Sequence, residues 1–198
     1  MKKSIFLLIF LFASSYYASA QYKMSITANY NIPQSSNFKD SFKNGWGGSG
    51  EIIYCFKESG FSASLLFGLN GYRGTEDTEA ALKDSNSTIN EFSYKINYYN
   101  FPLFLNANYT FFKEKKLNIL VGFGVGAIFM EHKEKQIGKY TSSTRSNKYN
   151  EFAIYPNLGI SYKISKGLDF LIKGGYNMTF GEKEVKYIDI NAGLIYSI

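Results

Sequence analysis

Beyond residue 20, apolar side chains in this chain recur with period two and nowhere sustain the 3.6-residue spacing of an amphipathic helix. Met24, Ile26, Ala28, Tyr30 and Ile32 alternate with Ser25, Thr27, Asn29 and Asn31. Phe61, Ala63, Leu65, Phe67 and Leu69 alternate with Ser62, Ser64, Gly68 and Asn70. The same rhythm runs through Leu117, Ile119, Val121, Phe123 and Val125, and again through Ile188, Ile190, Ala192, Leu194 and Tyr196. Successive side chains of a strand point to opposite faces, so each segment has one greasy and one polar face. Four less regular strands fill the gaps near 49–56, 92–111, 149–164 and 168–178, making eight. In the fourth, Pro102 and a slip of apolar phase between Tyr98 and Phe101 predict a β-bulge.

The connections are lopsided. Strands two and three are joined by Lys57-Glu58-Ser59-Gly60, four and five by residues 112–116, and six and seven by Ser165-Lys166-Gly167. All are tight turns. The others, near 33–48, 73–91, 131–148 and 179–184, are polar and mostly long. In an up-and-down meander every short turn then lies at one end and every long loop at the other, as in transmembrane barrels with short periplasmic turns.

Alternation alone does not say which face meets water. A soluble barrel would put Lys, Glu and Asp outside, but the polar stripes here are mostly Asn, Ser, Thr and Gly. Such small groups suit the crowded interior of a narrow barrel, where they bond one another. Aromatics fall in two bands. Tyr54, Phe56, Phe61, Tyr109, Phe111, Phe112, Tyr162 and Tyr196 lie near the short turns. Tyr30, Tyr72, Phe92, Tyr94, Phe129, Tyr149, Phe152 and Tyr176 lie toward the loops. Two such girdles mark the interfaces of a bilayer. The expected fold is therefore all-β: an eight-stranded antiparallel up-and-down transmembrane β-barrel, strand eight closing on strand one because hydrocarbon tolerates no open sheet edge.

Residues 1–20 read as a secretory leader: Lys2 and Lys3, an apolar run from Ile5 to Ala13, then Ala18-Ser19-Ala20. Cleavage is expected between Ala20 and Gln21, leaving 21–198 as one barrel domain in the outer membrane. The single Cys excludes a disulfide framework, and Cys55 is expected to be a small buried residue. No apolar run approaches the ~18 residues of a membrane helix. Asn86-Ser87-Thr88 has the form of a glycosylation site and is given no weight in a chain expected in an outer membrane.

The segment Tyr99-Asn100-Phe101-Pro102-Leu103-Phe104-Leu105, a charged turn, and then Leu120-Val121-Gly122-Phe123-Gly124-Val125-Gly126 resemble a motif of the small outer-membrane protein β-barrel domain family of Gram-negative bacteria, often labelled porin-like. The layout matches over most of the chain, the motif only in strands four and five. The resemblance implies an eight-stranded barrel in the OmpA/OmpX style with no known reaction. Such chains often end in Phe, whereas this one ends in Ile198.

Gly122, Gly124 and Gly126 do not have dinucleotide-loop spacing; at period two they are expected to make room inside the barrel for a neighbour's side chain. Glu51, Lys163, Asp169, Lys173 and Asp189 fall on the polar face and are expected to form an interior charge cluster, with Lys163 paired to Asp169 and Lys173 to Asp189. The expected role is structural or surface-interacting, with a filled lumen, no catalytic or metal residues and no cofactor. Three alternative roles stand beside this one. A lipid A-modifying enzyme would use His132 with Ser142, Ser143 or Ser146 and Glu131 or Glu134. A narrow porin-like channel and a soluble lipocalin-like carrier are the others. Expected partners are outer-membrane lipid, lipopolysaccharide phosphates beside the basic stretch 131–148, and an unknown surface partner met through 73–91 and 131–148. Nucleic acid is not an expected partner, being disfavoured by export and by the absence of any recognised binding module, and a monomer is expected.

Overall fold

The computed structural model describes residues 21–56, 59–75, 93–113, 115–137, 142–181 and 184–198. The expected leader, most of the second long loop with Phe92, and Asn86-Ser87-Thr88 lie outside the described residues. The strands are β1 (Gln21–Pro33), β2 (Gly45–Cys55), β3 (Phe61–Arg73), β4 (Ser93–Phe111), β5 (Leu117–Ile137), β6 (Ser142–Ser165), β7 (Leu168–Phe180) and β8 (Lys186–Ser197); one helix, α1 (Ser36–Ser41), follows β1. Each strand pairs antiparallel with the next, and β8 pairs with β1 from Lys23↔Ser197 to Pro33↔Tyr187, closing the barrel.

The polar stripe faces in. Asn31, Asn70, Asn100 and Asn191 are at most 2% exposed, while Ile26 and Leu105 are 74% and 65% exposed on the outer wall. A long-chain aliphatic wall facing out and amides facing in fits hydrocarbon outside the barrel. The short-turn girdle stands on the outer surface: Phe61, Tyr109 and Phe111 are exposed, Phe61 packs against Tyr109, and Tyr109 against Phe111. At the loop end, Trp46 on Tyr30, with Phe129, Phe152 and Phe180, forms the second band. Tyr72 was expected there but is buried in the lumen, and Tyr149 packs against the same interior cluster.

No bulge forms at Pro102. The β3–β4 register is the same on both sides of it, Phe67↔Leu103 and Asn70↔Asn100, and β4–β5 pairing runs through Pro102↔Ile128 unbroken. Pro102 has no N–H, so the β3 ladder is interrupted without being shifted. The apparent slip of phase has another origin: Tyr98 is an apolar residue on the inner face and Phe101 one on the outer face. The described register shift lies instead between Lys163 and Ser165, beside the Lys166–Gly167 turn, where Gly167 takes φ 91°.

The region 131–148 was expected to be a loop. It is an extended hairpin: β5 continues to Ile137 and β6 begins at Ser142, paired in unbroken register. β5 has 21 residues and β6 24. About 9–11 residues cross a bilayer, so β4, β5 and β6 project beyond it as a small sheet.

Candidate functional site

Two regions hold the chemistry: the lumen and the projecting sheet. The lumen is filled in tiers. At the loop end, Phe38 of α1 drops into the mouth and packs edge-on against Tyr72 and Tyr98 at centroid distances of 5.0 and 4.9 Å. Phe42 follows on Tyr98, and Tyr187 lies against Tyr72. Phe38, Tyr72, Tyr98 and Tyr187, with Met130 and Val185, belong to one buried cluster, against which the partly buried Phe42 packs. Below them runs a chain of amides, Asn29 donating to Asn70 (3.2 Å), Asn70 to Asn100 (2.8 Å), and Asn100 to the Tyr72 hydroxyl (3.3 Å).

The Tyr155 ring stacks on Phe104 at 5.3 Å and reaches across to donate from its hydroxyl to Asp189 at 3.0 Å. Glycines make this fit. A Cβ on Gly175 would collide with the hydroxyl-bearing edge of the Tyr155 ring, and one on Gly124 with Asn106. Gly122, Gly124 and Gly126 thus give their space to neighbours, chiefly Asn108, Asn106 and the β4 backbone beside Phe104.

The sequence-predicted charges are brought to one lumen but not in the expected pairs. Lys173 Nζ lies 2.8 Å from Glu51 Oε2, both side chains being 6% exposed. Ser64 and Asn106 also donate to Glu51. Lys173 does not pair with Asp189: its cross-strand neighbour on β8 is Asn191, and Asp189 stands opposite Gly175. Asp189 instead accepts from Tyr155 and from Asn191 at 2.6 Å. Lys163 does stand opposite Asp169, as hairpin register requires, yet its ammonium turns to the Lys113 carbonyl at 2.8 Å. Beneath the Glu51–Lys173 pair is a cavity of about 350 Å³ at the short-turn end, whose lining includes Lys23, Lys163 and Asp169. Cys55 is half-buried on its wall rather than fully buried, packed beside Ile53, Leu171 and Ile195.

On the projecting sheet, the outer face sets Lys95 directly opposite Lys135, and Lys133 reaches over the Tyr99 ring at 5.2 Å. Glu131 accepts from Ser146 at 2.8 Å and pairs with Lys133 at 3.2 Å, and together they hold its carboxyl below the ordinary value. His132 lies on β5 opposite Asn147, edge-on against Phe42 at 5.8 Å, with Nδ1 3.9 Å from Glu134. Ser142, Ser143 and Ser146 stand opposite Ile137, Gln136 and Lys133. Sequence reasoning missed the aromatic stopper, because the only signals for it were Tyr72 and Tyr98 at inward-facing positions.

Residues 4–197 match the family described as Outer membrane protein beta-barrel domain. The fold is similar to Ail, the attachment invasion locus protein of Yersinia pestis, in its complex with the heparin analogue sucrose octasulfate: TM-score 0.58 at 12% identity, over 90% of this chain and 99% of that one. It is similar to a major outer membrane protein of Thermus thermophilus, with TM-score 0.57 at 12% identity over 89% and 99%. OprG of Pseudomonas aeruginosa gives 0.56 at 10% identity over 90% and 96%. Among curated proteins nothing matches.

Proposed function

The chain belongs to the outer membrane protein β-barrel domain family and is an outer-membrane barrel of the Ail and OprG type, and on that premise we propose that it acts non-enzymatically, as a closed barrel that holds a projecting sheet at the cell surface. The observation that carries this reading is the closure of the lumen at two depths. Phe38, Tyr72 and Tyr98 stop its mouth, and the Glu51–Lys173 pair crosses it nearer the short turns. The two closures separate the mouth from the cavity at the short-turn end, which disfavours conduction through the barrel. The hydrogen bond from Ser146 to Glu131 commits that hydroxyl away from His132, which counts against one of the three candidate serines.

The sheet's basic outer face is proposed to meet the phosphates of lipopolysaccharide. Lys95 directly opposite Lys135 is an unfavourable like-charge pair that a bound anion would relieve. Ail, which shares the fold, was solved with a sulfated sugar. The role is tested by planar-bilayer recording together with binding to lipopolysaccharide and to its dephosphorylated form. Closed membranes and at least tenfold weaker binding after dephosphorylation support the proposal. Stable conductance steps, or binding indifferent to phosphate, contradict it.

A further inference from the structure

The cavity of about 350 Å³ at the short-turn end is capped by the Glu51–Lys173 pair and bordered at its other end by the turn residues Ser59 and Gly60 and by the exposed Ile198. The short turns of such barrels are periplasmic, so the cavity is a vestibule entered from the periplasm and blind at its inner end.

Its charges do not satisfy one another. Glu51 and Lys173 are paired together. The Lys163 ammonium donates to the Lys113 carbonyl, and the Lys113 ammonium to the Ser59 carbonyl at 3.2 Å. Each ammonium carries three donors, so both keep N–H groups for a ligand. Lys23 makes no ion pair among the described residues. Asp169 is 7% exposed, lines the same cavity, and makes no ion pair or hydrogen bond with any described residue. Lys23, Lys113 and Lys163 thus stand against Asp169 and the terminal carboxylate at Ile198, and the vestibule is net positive. A buried carboxylate without a donor is costly, so this one is a place for a ligand to donate.

Register sets three kinds of contact side by side. Lys163 on β6 stands opposite Asp169 on β7, and Asp169 opposite Ile195 on β8. Ile195 packs with Ile53 and Leu171 as a small apolar patch on the cavity wall. Cross-strand neighbours on one face lie about 4.5–5.5 Å apart at Cβ, so a cation, a carboxylate and an aliphatic patch fall within reach of one small molecule.

We propose that the vestibule binds a small carboxylic acid with an α-hydroxyl or α-ammonium group and a branched aliphatic side chain. Its carboxylate meets Lys163, its α-substituent donates to Asp169, and its side chain lies on Ile195 and Leu171. Hydroxyl and ammonium offer the same chemistry at Asp169, a donor to a carboxylate. A simple anion would leave Asp169 without a donor, and a purely apolar ligand would leave both charges unused. This site lies at the opposite end of the barrel from the projecting sheet, and it stands or falls independently of the lipopolysaccharide reading.

The test uses the protein in phosphatidylcholine nanodiscs with isotope-labelled Ile and Leu methyl groups. The probes share one carbon skeleton: L-leucine, 2-hydroxy-4-methylpentanoate and 4-methylpentanoate, the last having no α-donor. Leucine or the hydroxy acid should bind saturably with a Kd of roughly 1 mM or below, at least tenfold more tightly than 4-methylpentanoate. The tighter of the two identifies the donor. Methyl shifts should appear at the inward-facing Ile195 and Leu171 and not at the outward-facing Ile172 and Leu194. Lys163→Met should weaken the bound acid at least tenfold, and Asp169→Leu should erase the preference over 4-methylpentanoate. The ligand series itself needs no variant, so the comparison survives a variant that fails to fold. Absence of saturable binding by both donor-bearing acids overturns the proposal. Equal binding of 4-methylpentanoate, shifts confined to Ile172 and Leu194, or a preference that persists in folded Asp169→Leu overturns it as well.

Discussion

Lys173 on β7 and Glu51 on β2 meet across the lumen at 2.8 Å, 122 residues apart in sequence and buried to the same degree. Neither strand neighbours the other in the sheet. The pair is therefore a strut between walls, and its worth depends on both ends being present. Removing one partner leaves a buried charge uncompensated, at a cost of about 3–5 kcal/mol. Glu51→Gln or Lys173→Met should each lower stability by that order in urea unfolding from lipid vesicles. The double variant should recover most of the loss, since a neutral pair strands no charge.

Tyr155 depends on the absence of a side chain at Gly175. Gly175→Val should expel the ring, break its bond to Asp189 and cost about 1–3 kcal/mol through overpacking. Tyr155→Phe keeps the stack on Phe104 but loses the bond donated to Asp189 and the one accepted from Asn191, so it should cost about 1–3 kcal/mol. Thermal gel-shift midpoints in the same detergent would rank the two.

Phe38 is the stopper of the mouth. Phe38→Ala should cost about 3–5 kcal/mol, as for a buried core aromatic. It should not open a conduit, because the Tyr155–Phe104 and Glu51–Lys173 tiers remain below. Planar-bilayer currents at the wild-type baseline are the expected outcome.

On the projecting sheet, the Ser146 hydroxyl first, with help from Lys133, lowers the pKa of Glu131 below the ordinary 4.5. A carboxyl depressed in the folded state adds stability above its unfolded value and loses it as pH falls through the folded one. A carboxyl-detected NMR titration should place the Glu131 midpoint below 4.5, and Ser146→Ala should raise it. An unchanged midpoint in that variant would remove the hydroxyl from the account.

Much of the barrel is written in the chain because a membrane barrel has two very different solvents. Ile26 beside Thr27, or Leu105 beside Asn106, records lipid on one side and a polar, side-chain-filled lumen on the other. That contrast vanishes where the sheet leaves the bilayer. Residues 142–148 face water on both sides, so no alternation marks them and they read as a loop. Hairpin neighbours such as Lys163 and Asp169 follow from register alone. The contact from Lys173 to Glu51 does not, since it crosses an open space that no local rule describes. α1 spans six residues, too few to show a helical period.

The decisive measurement is nitroxide accessibility along β4 at positions 103–108, each label introduced singly in a Cys55→Ser background in lipid vesicles. Labels replacing Leu103, Leu105 and Ala107 should collide with oxygen, the quencher that concentrates in hydrocarbon. Those at Phe104, Asn106 and Asn108 should be shielded from it. Water-soluble nickel quenching strongest at Leu103, Leu105 and Ala107 would mean that the apolar wall does not face lipid, and the account would fail.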